Sequence, residues 1–255
     1  MPKNNIAVYS TSYDLQKVAS LLAKELNLPE TKENTENFGY LLELSDKNLA
    51  INIANSPQKP IVVDFLTKQM LFRLKNLSPR KELLAKALGL KNGATPKIID
   101  GTAGMATDSF IIASLGFEIT LLERSPIIHA LIKDGIKRAK NHPSTKAAAN
   151  RINLINQDGI TFFANMSERP DIIYLDPMFP EKKKSAKPTK AMQTFQDILG
   201  NDLDADKLLN AALTCARKRV VVKRPRLGAT IENIVAPSFT MQGSSSRFDI
   251  YIIKE

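Results

Sequence analysis

The regular alternation of short apolar strands with helical segments between residues 97 and 223 most constrains how this chain folds. Strands are predicted at 97–100, 118–123, 151–156, 171–176 and 219–223. Helical periodicity separates several of them, at 107–115, 126–141 and 205–216. Strands that alternate with helices are joined by crossover connections and pair in parallel. The pattern therefore predicts a doubly wound α/β sheet.

Two segments outside this alternation predict a closing hairpin and a small second unit. Residues 238–253 hold two strand-like runs around a Gly-Ser-Ser-Ser turn, which indicates an antiparallel hairpin. The elements predicted near the N-terminus are a helix at 14–26, hairpin strands at 40–44 and 49–53, and a strand at 61–65. We therefore expect a small N-terminal α+β domain at 1–72 and a main domain at 73–255.

Composition excludes several classes of protein. Of the 255 residues, 43% are hydrophobic, which is enough for a full α/β core, but no apolar run approaches the ~20 residues of a membrane helix. The N-terminus leads into no signal-like apolar stretch. Cys215 is the only cysteine, and His129 and His142 have no second ligand at a suitable spacing. We expect a cytoplasmic protein without a metal site or a membrane partner.

The positive charge is concentrated in one part of the chain. The formal net charge is +10, yet residues 1–64 hold six lysines against eight acidic residues. Residues 65–255 hold thirty basic residues against eighteen acidic ones. A basic excess confined to one region favours a polyanionic partner.

A short motif follows the predicted strand at 171–176. Prolines at 177 and 180 prevent this strand from continuing, so Asp176 and Phe179 lie at its carboxyl end, where open α/β sheets bind ligands. Asp-Pro-Met-Phe resembles the Asp/Asn-Pro-Pro-aromatic signature of methyltransferases that act on exocyclic amino groups of nucleic-acid bases. In such chemistry Asp176 and the carbonyl of Pro177 accept the two amine hydrogens, and Phe179 stacks on the base.

Acidic residues at the ends of three successive strands predict a methyl-donor site. The loop Asp100-Gly101-Thr102-Ala103-Gly104 follows the first strand, and Asp108 begins the next helix. Glu123 ends the second strand, where an acid accepts from ribose hydroxyls, and Asp158-Gly159 follows the third, in reach of an adenine. The loop lacks the G-x-G-x-x-G pattern of pyrophosphate binders. We therefore predict S-adenosylmethionine, which has no phosphate and carries a cationic sulfonium.

Basic residues cluster beside the Asp176 motif. The residues predicted to contact RNA are Lys182, Lys183, Lys184, Lys187, Lys190, Lys223, Arg224 and Arg226. Because parallel strands end at the same edge, we expect residues 223–226 to emerge beside Asp176. Contacts from such cations to phosphates position a nucleic acid.

The chain as a whole resembles the ribosomal RNA small subunit methyltransferase J family. The matching segments are 100–108, 122–124, 174–180, 182–186, 195–206, 218–225 and 247–251. The resemblance implies a Rossmann-like class I methyltransferase fold, with a mostly parallel sheet and an antiparallel C-terminal hairpin. It also implies methyl transfer from S-adenosylmethionine to N2 of a guanine in small-subunit (16S) ribosomal RNA, with S-adenosylhomocysteine as product. The implied donor contacts are Thr107, Asp108, Glu123, Arg124, Asp158, Gly159 and Asp176.

Two segments depart from the family's pattern. Ala106-Thr107-Asp108 stands where the family usually has Gly-Arg-Asp, so Thr107 offers a backbone N–H or a hydroxyl but no guanidinium. The approach to the main domain, at 73–80, is less basic and stiffer than the family's Gly/Arg-rich segment.

Other functions stay open on the residues alone. An adenine-N6 or cytosine-N4 DNA methyltransferase would use the same chemistry at Asp176. A non-catalytic RNA-binding ribosome assembly factor would keep the fold without the reaction, and a dehydrogenase is least favoured. We expect a monomer whose partner is small-subunit ribosomal RNA, either free or within the assembled subunit.

Overall fold

The chain forms two β-sheets with helices packed against them. The computed structural model describes residues 5–33, 35–91, 93–177, 204–231 and 235–254. Within these residues, no helix is both long and apolar enough to cross a membrane.

The main sheet has seven strands in the order β10-β11-β9-β8-β5-β6-β7. The strands are β5 (Ile98–Asp100), β6 (Ile119–Leu122), β7 (Ile152–Ile155), β8 (Ile172–Leu175), β9 (Arg219–Pro225), β10 (Phe239–Gln242) and β11 (Ser246–Ile252). Strands β5 to β9 pair in parallel, and β11 lies antiparallel between β9 and β10. The predicted α/β fold with a mostly parallel sheet and a closing antiparallel hairpin is confirmed.

The N-terminal sheet has four strands in the order β2-β1-β3-β4. The strands are β1 (Ile6–Ser10), β2 (Glu30–Thr31), β3 (Tyr40–Leu44) and β4 (Leu49–Ile53). β1 runs parallel to β2 and β3, whereas β3 and β4 form the predicted hairpin. The helix α1 (Gln16–Leu26) packs Ala19 and Ala23 into the core beside β1 and ends at Asn27, whose φ of 51° is left-handed. A left-handed residue after the last turn is a common helix end.

Two of the following helices precede β5, and the others lie between strands of the main sheet. The helices are α2 (Lys68–Lys75), α3 (Leu83–Leu88), α4 (Thr107–Ser114), α5 (Pro126–Lys140), α6 (Lys146–Asn150), α7 (Gly159–Ala164) and α8 (Ala205–Cys215). The helix α5 begins as its sequence predicts, with Pro126 at the first position and the Ser125 hydroxyl accepting from the Ile128 N–H at 3.4 Å.

The helices cover the two faces of the main sheet, so its strands are buried on both sides. Alternate residues of β8 illustrate this arrangement: Tyr174 packs with the cluster that contains α4 and α5, and Ile173 and Leu175 pack with the cluster that contains α7 and α8. Because both faces are covered, the strands are continuous apolar runs rather than alternating ones. The loops at the carboxyl ends of the strands stay available for a ligand.

The N-terminal sheet shares its hydrophobic core with the main sheet. The rings of Phe65 and Phe110, the latter in α4, stack with centroids 4.1 Å apart. On α5, Asp134 accepts from the backbone N–H of Leu49 at 3.2 Å. The division into domains at 1–72 and 73–255 stays a proposal, and the packing between the two sheets is continuous.

The predicted strand at 61–65 is wrong within the described part of the chain. Ile61 makes an isolated bridge with Ile51, and no further residue of the segment is in a strand. Arg138 of α5 binds polar groups of the residues that follow Ile61: it donates to the Val63 carbonyl and pairs with Asp64 at 3.0 Å. The backbone of this segment is therefore bound to a helix instead of a strand.

Candidate active site

A cavity of about 820 Å³ opens at the carboxyl ends of the parallel strands. All ten residues predicted to contact the donor line it: Asp100, Gly101, Gly104, Thr107, Asp108, Glu123, Arg124, Asp158, Gly159 and Asp176. Loops that follow β5, β6, β7 and β8 bring them together from distant parts of the sequence. This is the position at which open α/β sheets bind ligands.

Asp100 organises the loop between β5 and α4. Its carboxylate is 2% exposed and accepts from the Thr102 N–H at 2.9 Å and from the Ser109 hydroxyl. Burial raises the pKa of Asp100 to about 7, although these two hydrogen bonds oppose that rise. The buried carboxylate therefore fixes the conformation of the loop through these hydrogen bonds.

The loop approaches its neighbours closely. Gly104 has a φ of +54°, which favours glycine. At Gly159 a Cβ atom would lie 3.0 Å from the Gly101 carbonyl oxygen. The glycine at 159 therefore allows α7 to pack against the donor loop.

Glu123 lies at the end of β6 with both carboxylate oxygens bound. The Gly104 N–H donates to Oε2 at 3.1 Å and the Ser125 N–H donates to Oε1 at 2.8 Å. Burial raises the pKa of Glu123 to about 7, against the effect of these two bonds. Asn156 fixes the same turn by donating to the Glu123 carbonyl at 2.7 Å.

Asp158 and Arg124 also line the cavity. Asp158 is the N-cap of α7: its Oδ1 accepts from the Thr161 N–H at 2.9 Å and from the Thr161 hydroxyl at 3.1 Å. Arg124 pairs with Asp204, the residue before α8, at 3.1 Å. Both partners are substantially exposed, so this pair contributes little to stability.

Asp176 lies immediately after β8, in a group of charges at the cavity wall. Lys223 of β9 places its Nζ 2.9 Å from Asp176 Oδ2 and 2.7 Å from Asp108 Oδ2. The Tyr174 hydroxyl donates to the same Asp108 oxygen at 2.6 Å. The Asp176 N–H donates to the Thr102 hydroxyl at 2.6 Å, which joins the end of β8 to the donor loop.

These contacts set the ionisation of the group. Burial raises the pKa of Asp176, and the Lys223 cation offsets part of that rise. Burial alone lowers the pKa of Lys223, but the carboxylates of Asp176 and Asp108 more than reverse this and raise it above its ordinary value. Lys223 is therefore a cation at all physiological pH values.

The basic residues predicted at the end of β9 lie in three different environments. Lys223 lies beside Asp176, as expected for strands that end at one edge, but it faces the cavity and its side chain is 29% exposed. Arg226 is exposed. The expected surface position of Arg224 is wrong: the residue is 6% exposed and donates from Nε to the Ala229 carbonyl at 2.8 Å. Arg224 therefore holds the loop after β9, because its guanidinium supplies the donors that this turn needs.

Sequence reasoning missed the supporting residues of the site. Tyr174, Thr102 and Ser109 bind the carboxylates or the backbone of predicted residues. The signal for Tyr174 is a hydroxyl-bearing side chain inside an otherwise apolar strand, one position before its end. The predicted residues Phe179, Lys182, Lys183, Lys184, Lys187 and Lys190 lie outside the described residues.

The chain matches proteins of known sequence along most of its length. Residues 21–253 match the family model described as "Putative SAM-dependent methyltransferase". A protein from Thioalkalivibrio sulfidiphilus named Ribosomal RNA small subunit methyltransferase J is 39% identical over 255 residues, covering 99% of each chain. Its namesake from Aeromonas salmonicida is 41% identical and covers 92% of each. The chain belongs to the ribosomal RNA small subunit methyltransferase J family.

A solved structure of the same class agrees with this membership. A SAM-dependent methyltransferase from Neisseria gonorrhoeae superposes with a TM-score of 0.74 at 30% identity, covering 97% of this chain and 96% of that one. As a member of this family, the chain is an S-adenosylmethionine-dependent methyltransferase.

The charges of the cavity suit S-adenosylmethionine. Six acidic residues line it against two basic ones, Arg124 and Lys223. A pyrophosphate would be repelled by this set, whereas a sulfonium and an ammonium group are attracted to it. Apolar side chains including Leu122, Ile127 and Ile160 supply a wall for an adenine ring.

Proposed function

We propose that this protein transfers a methyl group from S-adenosylmethionine to the exocyclic N2 of a guanine in small-subunit (16S) ribosomal RNA. The observation that carries this proposal is the position of Asp176, which lies at the end of β8 on the wall of the donor cavity. The names of the relatives support ribosomal RNA as the substrate. The choice of guanine N2 rests on the family resemblance.

The acids of the cavity hold the donor in this proposal. Glu123 accepts from the ribose hydroxyls at the end of β6, as acids at that position do in related sheets. Asp158 uses Oδ1 as a helix cap, and we assign its second oxygen to the adenine amino group. Asp108 and the backbone of Thr107 contact the methionine end. Bound in this way, S-adenosylmethionine supplies an electrophilic methyl group.

Asp176 prepares the amine that receives the methyl group. The lone pair of an exocyclic amine is delocalised into the base, which makes the nitrogen a weak nucleophile. Asp176 and the Pro177 carbonyl accept its two hydrogens and turn the lone pair towards the methyl carbon. Catalysis is then mostly positioning and hydrogen bonding. Phe179 stacks on the base after the base has flipped out of the RNA.

The RNA surface in this proposal is a basic group beside the motif. It consists of Lys182, Lys183, Lys184, Lys187, Lys190 and Arg226. Arg226 is exposed at the end of β9, the strand beside β8. Contacts of this kind position the RNA without reading its sequence. We propose that the protein works as a cytoplasmic monomer on this partner.

The test uses ribosomes from a strain of the source organism that lacks the gene. The purified protein and a tritiated donor are added to assembled small subunits and to naked ribosomal RNA, and labelled nucleosides are mapped by mass spectrometry. We expect one guanine to be labelled at N2, and the better substrate identifies the assembly state. Label on adenine N6, or on DNA but not on RNA, would overturn the proposal. Donor binding without any transfer would favour the assembly factor.

A further inference from the structure

The Lys223 side chain is the cation that joins the two carboxylates nearest the end of β8. It lies 2.7 Å from Asp108 and 2.9 Å from Asp176, and both bonds end on an Oδ2 atom. The Lys223 side chain is 29% exposed, that of Asp108 is 19% exposed and that of Asp176 is 40% exposed. Charge-assisted bonds in such a partly enclosed place are stronger than surface ion pairs.

The bonds of Lys223 connect three elements. Lys223 is in β9, Asp176 follows β8, and Asp108 is in the first turn of α4. Strands β8 and β9 are neighbours, with Leu175 beside Val222 in the register. One ammonium group therefore fixes the donor side and the acceptor side of the cavity relative to each other.

Lys223 also selects the oxygen of Asp176 that a substrate meets. Lys223 donates to Oδ2, and no group among the described residues donates to Oδ1. A carboxylate held through one oxygen cannot rotate freely, so the other oxygen points in a fixed direction. The Asp176 N–H bond to the Thr102 hydroxyl fixes the backbone at the same place.

We propose that Lys223 is a positioning residue for methyl transfer, which orients Asp176 and keeps it ionised as a hydrogen-bond acceptor, rather than a contact to RNA phosphates. This proposal rests on the methyl transfer proposed above. Lys223 stabilises the negative charge of Asp176 and so offsets part of the rise in pKa that burial causes. When the methyl group passes from the sulfonium to the amine nitrogen, S-adenosylhomocysteine is the leaving group and one amine proton is lost to water, while the role of Asp176 is to accept a hydrogen bond from the amine.

Titratable groups from four elements face the Asp176 carboxyl group. They are Lys223 and Arg224 of β9, Asp108 of α4, Asp100 of β5 and Tyr174 of β8. Lys223 is the only one of these that both carries a positive charge and bonds the Asp176 carboxylate. Its replacement by a neutral residue leaves Asp176 beside the like charge of Asp108, so Asp176 will be protonated at a higher pH.

The experiment compares Lys223→Met and Lys223→Arg with the wild-type protein. We expect kcat for Lys223→Met to fall about 100-fold, with a KM for RNA that changes less than about threefold. The acidic limb of its pH–kcat profile moves up by about one to two pH units. Lys223→Arg retains the charge and restores the position of the limb. A raised KM with an unchanged kcat and a flatter salt dependence of RNA binding would show a phosphate contact and overturn the proposal.

A matched control is available at the other end of the same strand. Lys218 pairs with Asp171 at 3.0 Å and lies just before β9, far from the cavity edge. Lys218→Met also removes a lysine from a Lys–Asp pair, and we expect an unchanged pH profile.

A direct titration separates this proposal from the proposed function. The carboxyl carbons of ¹³C-labelled aspartates are followed by NMR in the protein without donor or RNA, with Asp176→Asn used for assignment. A higher pKa for Asp176 in Lys223→Met than in wild type and Lys223→Arg supports the proposal even if the RNA substrate is another one. An equal pKa in all three proteins would overturn it even if guanine N2 is methylated. If Lys223→Met does not fold, Lys223→Arg and Lys223→Gln enter the same titration.

Discussion

At the scale of single residues, the proposed donor contact of Glu123 predicts that donor binding depends on pH. Burial raises the pKa of Glu123 to about 7, so the group gains a proton as the pH falls through 7. The protonated form is a weaker acceptor for ribose hydroxyls. We expect the affinity for S-adenosylhomocysteine, measured by calorimetry, to fall between pH 8 and pH 6. In Glu123→Gln we expect a lower affinity at pH 8 and a weaker dependence of the affinity on pH. If the affinity of this variant depends on pH as steeply as that of the wild-type protein, the titrating group is Asp100 instead.

Asp176 gives the sharpest test of the chemistry. We expect Asp176→Asn to lower kcat by about 10²–10³-fold, because Lys223 binds the one oxygen that remains and the amide N–H groups then face the amine, which needs an acceptor. Glu168→Gln is a suitable control, since Glu168 is an exposed carboxylate on the loop before β8. Methylation by Asp176→Asn at the wild-type rate would remove Asp176 from the mechanism, and unchanged thermal unfolding would show that the fold is intact.

The acids of the site could be predicted from sequence, whereas their partners could not. Asp100, Glu123 and Asp158 each follow a strand, and parallel pairing alone brings such positions to one edge. The role of a basic residue depends on which way its side chain points. Lys223 and Arg224 are adjacent in sequence, yet one faces the cavity and the other is buried under the loop that follows β9. Successive side chains of a strand point to opposite faces of the sheet. Which of the two residues faces the cavity depends on how the neighbouring elements pack.

At the scale of elements, the helix α5 packs closely against the segment at 63–65. A Cβ atom at Gly135 would lie 2.6 Å from the Val63 carbonyl oxygen. An alanine normally stabilises a helix interior by about 1 kcal/mol relative to glycine. Here we expect Gly135→Ala to lower the free energy of unfolding by about 1–2 kcal/mol, since the backbone of 63–65 has to move. Urea unfolding measures this change.

The exposed residue Lys137 on the same helix is the control. Lys137→Ala should change the free energy of unfolding by less than about 0.5 kcal/mol. A stabilising effect of Gly135→Ala would show that the backbone at 63–65 moves easily.

The strand prediction at 61–65 failed because the apolar pattern does not reveal that Arg138 binds the backbone there.

At the scale of the whole molecule, the asymmetric charge predicts how the protein binds RNA. Each lysine that contacts a phosphate of a single strand adds about −0.7 to the slope of log K against log salt. Lys182, Lys183 and Lys184 changed together to Ala should weaken RNA binding and lower the slope by about 2. The matched control replaces Lys17, Lys24 and Lys32, which are exposed in the acidic N-terminal part. Filter binding at several salt concentrations measures both, and equal slopes in the two variants would contradict the proposed RNA surface.

The hydrogen bond from the Asp176 N–H to the Thr102 hydroxyl has a consequence for how the two substrates meet. One hydroxyl joins the loop that follows β5 to Asp176, the residue that we propose binds the amine. Because this bond links the two loops, a movement of one loop shifts the other, and the proposed donor and base sites keep their relative position. The two loops are therefore coupled, and a change of substrate that moves one of them is expected to require a compensating change in the other.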